Sequence, residues 1–490
     1  MMYVNSVFIA RCFSACVCLA LAGVPVPLNG AYADPIAIGS RLEPMMDGHL
    51  IDDLSGLELR LHNPIPREVV ITFDAPWEGN TSGYYTVFRD NRKFRMYYRG
   101  SHFDLETRKG TGQRACYAES RDGINWHKPK LGLFEYEGSK KNNIVWDGPG
   151  SHNFTPFKDA NPKCATDARY KALGRDQRGL IAFKSPDGIH WSLIQKEPVI
   201  TKGAFDSQNL AFWDSVRKCY VDFHRGFKDG VRDIMICTSD DFVNWTEPQW
   251  LDYGDIPKEH LYTNAITPYP RAPHILVGFP KRFVPSRDPG LHIHPGVSDG
   301  VFMTSRDGLH WHRWREALIR PGLQESRWVN RNNMTAWGIL QLPSAIPGTP
   351  DELSIFSSEG YYTGPCKLRR YTVRLDGFVS VHAPAEPGSF TTKLLTFADD
   401  PAVDTPETAK MRFLINYSTS AAGTIRCAIL DADGKPIDGY SIDDCDTIYG
   451  DHIQREVTWN GNAEVAPLAG TPVRLKFVMS DADLYAIQFR

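Results

Sequence analysis

The hydrophobic positions of this chain fall in short runs, and no segment repeats them at the helical period of about 3.6 residues. Four of these runs are Ala115-Cys-Tyr-Ala, Leu180-Ile-Ala-Phe, Ile234-Met-Ile-Cys and Val301-Phe-Met-Thr, and each leads into one seven-residue motif. The copies are Ser120-Arg-Asp-Gly-Ile-Asn-Trp126, Ser185-Pro-Asp-Gly-Ile-His-Trp191, Ser239-Asp-Asp-Phe-Val-Asn-Trp245 and Ser305-Arg-Asp-Gly-Leu-His-Trp311. They stand 65, 54 and 66 residues apart. The apolar run predicts a strand, the Asp-Gly a tight turn, and the Trp a cover for the hairpin end. A second marker keeps the same phase: an asparagine leads into a strand at Asn80, Asn153, Asn209, Asn264 and Asn333. Further short strands follow in each unit, among them Phe94-Arg-Met-Tyr-Tyr, Tyr170-Lys-Ala-Leu and Cys219-Tyr-Val-Asp-Phe. Five units of four short strands predict an all-β chain built on a five-bladed β-propeller.

The repeat stops after Pro384-Ala-Glu-Pro-Gly388. Residues 389–490 carry alternating runs such as Met411-Arg-Phe-Leu-Ile-Asn-Tyr, parted by Asp433-Gly434 and Asn460-Gly461, and predict a C-terminal β-sandwich. The propeller is then residues 73–388, and residues 34–72 are a covering segment that supplies an outer strand near the ring closure. Residues 1–33 read as a signal peptide: a lone positive charge at Arg11, an apolar run over Cys12–Val26, and Ala31-Tyr32-Ala33 before Asp34. No other stretch reaches about 18 apolar residues. The expectation is an exported protein, periplasmic or extracellular, with no membrane attachment after cleavage.

Composition narrows the function classes. The 490 residues balance to a net charge of −3, without the basic stripe of a nucleic-acid binder. Hydrophobic residues make up 42% of the chain, which excludes a disordered one. Seven cysteines lie beyond the signal and show no C-x-x-C spacing, so no zinc site is indicated. Cys219 and Cys237 flank a predicted hairpin and are candidates for a cross-strand bridge; buried free thiols are the other reading. His292-Ile-His294 with Asp299 falls in a predicted loop, and no metal is expected there. No cofactor is called for beyond, at most, a structural channel ion such as calcium.

The Ser-x-Asp-x-x-x-Trp unit repeated around five blades resembles the clan of furanosidases that includes glycoside hydrolase families 32, 43 and 68. Phosphorylase family 130 shares that scaffold. A propeller followed by a β-sandwich is similar to family 32, and the whole pattern resembles exported bacterial family-32-like proteins. The resemblance covers about residues 70–490 and is architectural. Arg287-Asp288-Pro289 stands in a loop of the fourth unit, so no residue is carried over from family 32.

Site residues follow from position instead. The innermost strands of a propeller line its channel, and the five asparagines mark their leading ends. Among the residues ahead of each asparagine the acids are Glu78, Asp206 and Glu259, from three different units. Glycoside cleavage needs one protonated and one ionised carboxyl, and a crowded pocket raises the pKa of one of them. Glu78 is assigned as base or nucleophile and Asp206 or Glu259 as acid, with Asp74, Asp159 and Glu359 in reserve. Trp77, Tyr262 and Trp328 are candidates to stack on sugar faces. His152, Gln208 and Asn80, Asn153, Asn209, Asn264 and Asn333 are candidates to bind hydroxyls, although a recurring Asn also suits backbone bonding at a strand start. Lys281, Arg282 and Arg331 are candidates to hold sulfate, carboxylate or phosphate. The expected function is a glycosidase, an O-glycosyl hydrolase with a carboxylate pair at the channel mouth. Its substrate is expected to be a poly- or oligosaccharide, sulfated or otherwise anionic. A glycoside phosphorylase and a non-catalytic glycan-binding propeller are the alternatives.

Overall fold

The computed structural model of the chain describes residues 34–397 and 411–490. The signal-peptide reading, residues 1–33, lies outside the described residues. Five antiparallel sheets follow one another along the chain. Blade 1 comprises Gly83–Asp90, Lys93–Gly100, Arg114–Ser120 and Trp126–His127 from inside outward, and Ile144–Trp146 also pairs with its third strand. Blade 2 is Thr155–Lys158, Tyr170–Arg175, Leu180–Ser185 and Ser192–Leu193. Blade 3 is Leu210–Asp214, Cys219–Lys228, Val231–Ser239 and Gln249–Trp250. In blade 4 Thr267–Tyr269 is followed by a second strand broken into Ala272–Gly278 and Lys281–Val284, then Val297–Ser305 and His312–Ile319. Blade 5 takes Leu340–Leu342, Glu352–Glu359 and Cys366–Arg374 from the end of the propeller. Its outer strand is Ile65–Phe73, with Thr72 opposite Lys367.

The motif is legible as hydrogen bonds. Ser120 Oγ accepts from the Gly123 amide at 2.9 Å, and Asp122 Oδ1 accepts from the amides of Ile124 and Asn125 at 2.9 and 2.8 Å. Trp126 Nε1 donates to the Gly123 carbonyl, closing the turn. The same set recurs at Ser185, Ser239 and Ser305. The turn needs a positive φ at its fourth position, which Gly123, Gly188 and Gly308 supply at 76°, 77° and 87°. Phe242 adopts 68° in the copy that lacks glycine.

The segment after the propeller shares one eight-stranded sheet with residues that precede it. Two long strands, Phe413–Leu430 and Arg474–Phe489, run side by side through it, with their register interrupted between Thr419 and Thr424. Residues before the propeller join this sheet: Glu43 pairs with Ile487, Ile51–Ser55 with Gly388–Thr392, and Glu58–Leu61 with Val379–Ala383. The buried Glu43 carboxylate receives Arg41, Arg306 and His274 at 2.5, 3.0 and 3.2 Å. Burial pushes its pKa up, but His274 and Arg306 outweigh that and hold it at about 2.

The expected Cys219–Cys237 bridge is not formed. Cys237 lies opposite Asp222, three residues along from Cys219, so the two thiols do not face each other. All seven described cysteines are free. Among the described residues no helix is long and apolar enough to cross a membrane.

Candidate functional site

The leading ends of the inner strands meet at a cluster of tyrosines and cations. Tyr84 of blade 1 and Tyr262 of blade 4 bring their hydroxyls to 3.1 Å. Four cationic groups surround the Tyr262 ring: Lys281 Nζ at 4.4 Å from its centroid, and the guanidinium carbons of Arg225, Arg331 and Arg232 at 5.0, 5.7 and 6.0 Å. A fifth, Arg99, lies 4.6 Å from the centroid of Tyr84. Arg99, Arg225 and Lys281 are buried, and Arg232 and Arg331 are partly so. Their bonds go to neutral oxygens and nitrogens. Arg99 donates to the Thr81 carbonyl and the Tyr361 hydroxyl, and Arg331 to that same hydroxyl. Arg225 donates to the Ala204 carbonyl, Lys281 to Asn330 Oδ1, and Arg232 contacts the His260 ring.

Among the described residues none of these five cations has an ion-pair partner. A buried charge is costly unless it is paired, and the faces of tyrosine rings offset only part of that cost. Burial, reinforced by Arg331, Arg232 and Arg225, pushes the Lys281 amine well below the usual lysine range. The backbone here is strained as well: Tyr84, Ala265, Arg331, Asn333 and Tyr362 all have φ between 44° and 73°. Such outliers in bulky residues are rare, and they concentrate at functional sites.

One carboxylate faces this cluster. Asp206 Oδ1 bonds His152 Nε2 at 2.7 Å, with its side chain 48% exposed. The His152 bond holds the Asp206 carboxyl well below the usual carboxylate range; Arg225 and Arg331 add to this, and burial opposes it. Burial lowers the His152 pKa, as do Arg99 and Arg175, while Asp206 acts the other way.

The remaining sequence-derived site residues lie elsewhere. Glu78 has a fully buried side chain that accepts from Tyr98 at 2.5 Å, Lys128 at 2.6 Å and the Ala75 amide. Its partners come from the second strand of blade 1 (Tyr98), the residue after the outer strand (Lys128) and the turn at Ala75, whose carbonyl accepts from the Glu78 amide at 2.8 Å. Glu259 is bound by Arg282 at 3.2 Å and by Arg313. Arg282 is also paired with Asp299 and is absent from the tyrosine cluster. The reserve acids are likewise engaged: Asp74 with Lys128, Asp159 with Lys171, and Glu359 with Arg369. Three converging carboxylates are therefore not formed; the structure brings together Asp206, His152, Tyr262, Lys281 and Arg331.

The five asparagines bind backbone. Asn153 donates to the carbonyls of Phe205 and Ser207, Asn209 to the same two, and Asn264 to that of Phe223. Asn333 donates to those of Ser298 and Arg327, and Asn80 to that of Phe103. They fasten neighbouring segments where the inner strands begin. Gln208 is fully buried against the Tyr85 carbonyl. Trp77 donates to Asn143 Oδ1, and Trp328 to the Gly322 carbonyl. Inside blade 3, Asp222, His224 and Cys237 could hold a metal ion by their spacing. His224 already bonds Asp222 at 2.5 Å and the Lys202 carbonyl at 3.0 Å.

Arg99, Arg225 and Arg232 escaped the sequence reading, although a signal for the cluster was there. A basic residue stands one before the end of the second strand of blade 1 at Arg99, ends that of blade 2 at Arg175, sits within that of blade 3 at Arg225, and opens the second half of that strand in blade 4 at Lys281.

No family model matches the chain, and no curated protein matches it. Solved structures resemble it at low identity. A glycoside hydrolase aligns at 12% identity and TM-score 0.44 over 63% of this chain and 92% of its own. The catalytic domain of the GH62 α-L-arabinofuranosidase of Coprinopsis cinerea aligns at 9% and 0.42, covering 64% and 99%. The endo-arabinase of Bacteroides thetaiotaomicron aligns at 10% and 0.38, covering 63% and 98%. No residue is carried across from any of them.

Proposed function

We propose that this chain is a glycosidase that seats the anionic part of a saccharide in the mouth of its propeller. The supporting observation is the set of four guanidinium groups and the Lys281 amine, none with a carboxylate partner, gathered around tyrosine rings beside the Asp206 carboxylate. A sulfate or carboxylate on the sugar supplies the missing counter-charge, and guanidinium groups suit both. The tyrosine faces offer an apolar platform for a sugar ring. Asp206, held ionised, takes the role of base or nucleophile at the anomeric carbon. His152, bonded to it through Nε2, orients that carboxylate.

A second reading is favoured by the presence of a single carboxylate. In a phosphorylase the cations hold inorganic phosphate, which attacks the anomeric carbon, and one acid protonates the leaving group. The deciding experiment incubates the protein with neutral, sulfated and uronate-bearing polysaccharides, with and without phosphate. The hydrolase releases reducing sugar in phosphate-free buffer from anionic substrates only. Release that requires phosphate and yields a sugar phosphate establishes the phosphorylase. Binding without turnover in any arm rejects both.

A further inference from the structure

A cleft of about 560 Å³ opens beside the tyrosine cluster, between blades 1 and 2. Its walls include Gln113, His152, Arg175 and Gln177, and its floor is the backbone of Gly148-Pro149-Gly150. The structure assigns this cleft as a second saccharide subsite, which takes the next residues of a polyanionic chain whose first residue sits at Asp206. The assignment rests on the reading of the mouth as an anionic-saccharide site.

The cleft and the mouth share residues. His152 lines the cleft, bonds Gln113 Oε1 through Nδ1 at 2.7 Å, and bonds Asp206 through Nε2. Arg175 lines it too, and its guanidinium reaches Asp206 only at 3.8 Å. His152 and Arg175 thus join the two places, and a chain bound at Asp206 reaches the cleft alongside these two side chains. Gly150, with φ 94°, packs directly on the buried Phe183 ring, where a Cβ would lie 2.6 Å from Cζ, so the wall it belongs to is fixed against the core of blade 2. The chemistry is two amides, Gln113 and Gln177, the first bonded to His152, and the weakly engaged, part-exposed guanidinium of Arg175, since Arg178 is held by Asp176 and Glu197. That suits hydroxyls with a single anionic substituent. The volume lies within the range of pockets that hold small molecules, roughly 300–1,000 Å³.

The test is calorimetric binding of heparin di-, tetra- and hexasaccharides, used as sulfated uronate probes, to the intact protein and three variants. The tetrasaccharide is expected to bind about tenfold more tightly than the disaccharide. Gln177→Trp, on the exposed hairpin tip, fills the cleft and removes that gain while leaving disaccharide affinity in place. Arg175→Ala lowers tetrasaccharide affinity more than disaccharide affinity, and Arg331→Ala weakens every length. Equal affinity for all lengths, or a gain that survives both Gln177→Trp and Arg175→Ala, overturns the subsite and leaves the mouth standing. Failure of every probe to bind the unaltered protein, or binding indifferent to Arg331→Ala, overturns the mouth and the subsite with it.

Discussion

Arg99 and Arg331 donate to one and the same hydroxyl, that of Tyr361, at 3.0 and 3.1 Å. Two guanidinium groups from blade 1 and the segment ahead of blade 5 are thus held side by side with no carboxylate between them. Their repulsion is a standing cost to the folded chain that a bound anion removes. Arg331→Gln should therefore raise the thermal midpoint in the absence of ligand, on the order of 2 °C. The same change should weaken binding of a sulfated saccharide about tenfold or more. Differential scanning fluorimetry with and without ligand measures both effects, and a fall in both would mean the pair is structural.

Glu78 and Asp206 should separate cleanly. Glu78→Gln leaves Lys128 beside a neutral amide and should cost about 3 kcal/mol of stability, while turnover per folded molecule is retained. Asp206→Asn should abolish turnover with little change in stability, because that side chain is half exposed. Chemical denaturation and specific activity on the two variants decide the assignment.

Ligand binding should take up a proton. Lys281 is pushed down by burial and by Arg331, Arg232 and Arg225, and an anion among these groups raises it again. Between the free and the bound pKa the complex holds the extra proton, so affinity falls as pH rises through that window. Calorimetry in two buffers of different ionisation enthalpy reads the uptake directly. Lys281→Met should eliminate it.

The turn aspartates set the acid limit of the fold. Burial opposes their ionisation, but the backbone amides and side chains around Asp187, Asp241 and Asp307 hold all three at about 2. An unfolded aspartate titrates near ~3.9. Their contribution is complete above that value and is lost as pH falls through about 2. Asp241→Asn should lower stability at neutral pH and have a much smaller effect at pH ~2, as followed by circular dichroism on acid titration.

The turns were legible because they are local: Ser239, Asp241 and Trp245 bond within a few residues of one another. The asparagine phase correctly located the starts of the inner strands, but not their task. Asn153 reaches Phe205, 52 residues away, and no spacing in the sequence announces that partner. Glu78 failed for a related reason, since Lys128 lies 50 residues on and belongs to no motif. The cation cluster is assembled from several blades at unequal intervals, and its members look like ordinary surface charges until the ring closes. The all-β class and the five units follow from periodicity alone; the extra strands of blades 1 and 4 and the sharing of one sheet by the segments before and after the propeller do not.

The outer strand of blade 5 has a consequence in time. Thr72 is made 295 residues before its partner Lys367. At synthesis rates of about 5–20 residues per second, that is roughly 15–60 s of waiting. Throughout it Ile65–Phe73 is an unpaired edge, while four complete blades already exist to collapse around it. Ring closure thus waits for a distant partner, and the pairing of Glu43 with Ile487 waits longer still. During this interval the chain is most open to capture by another copy of itself or by a chaperone.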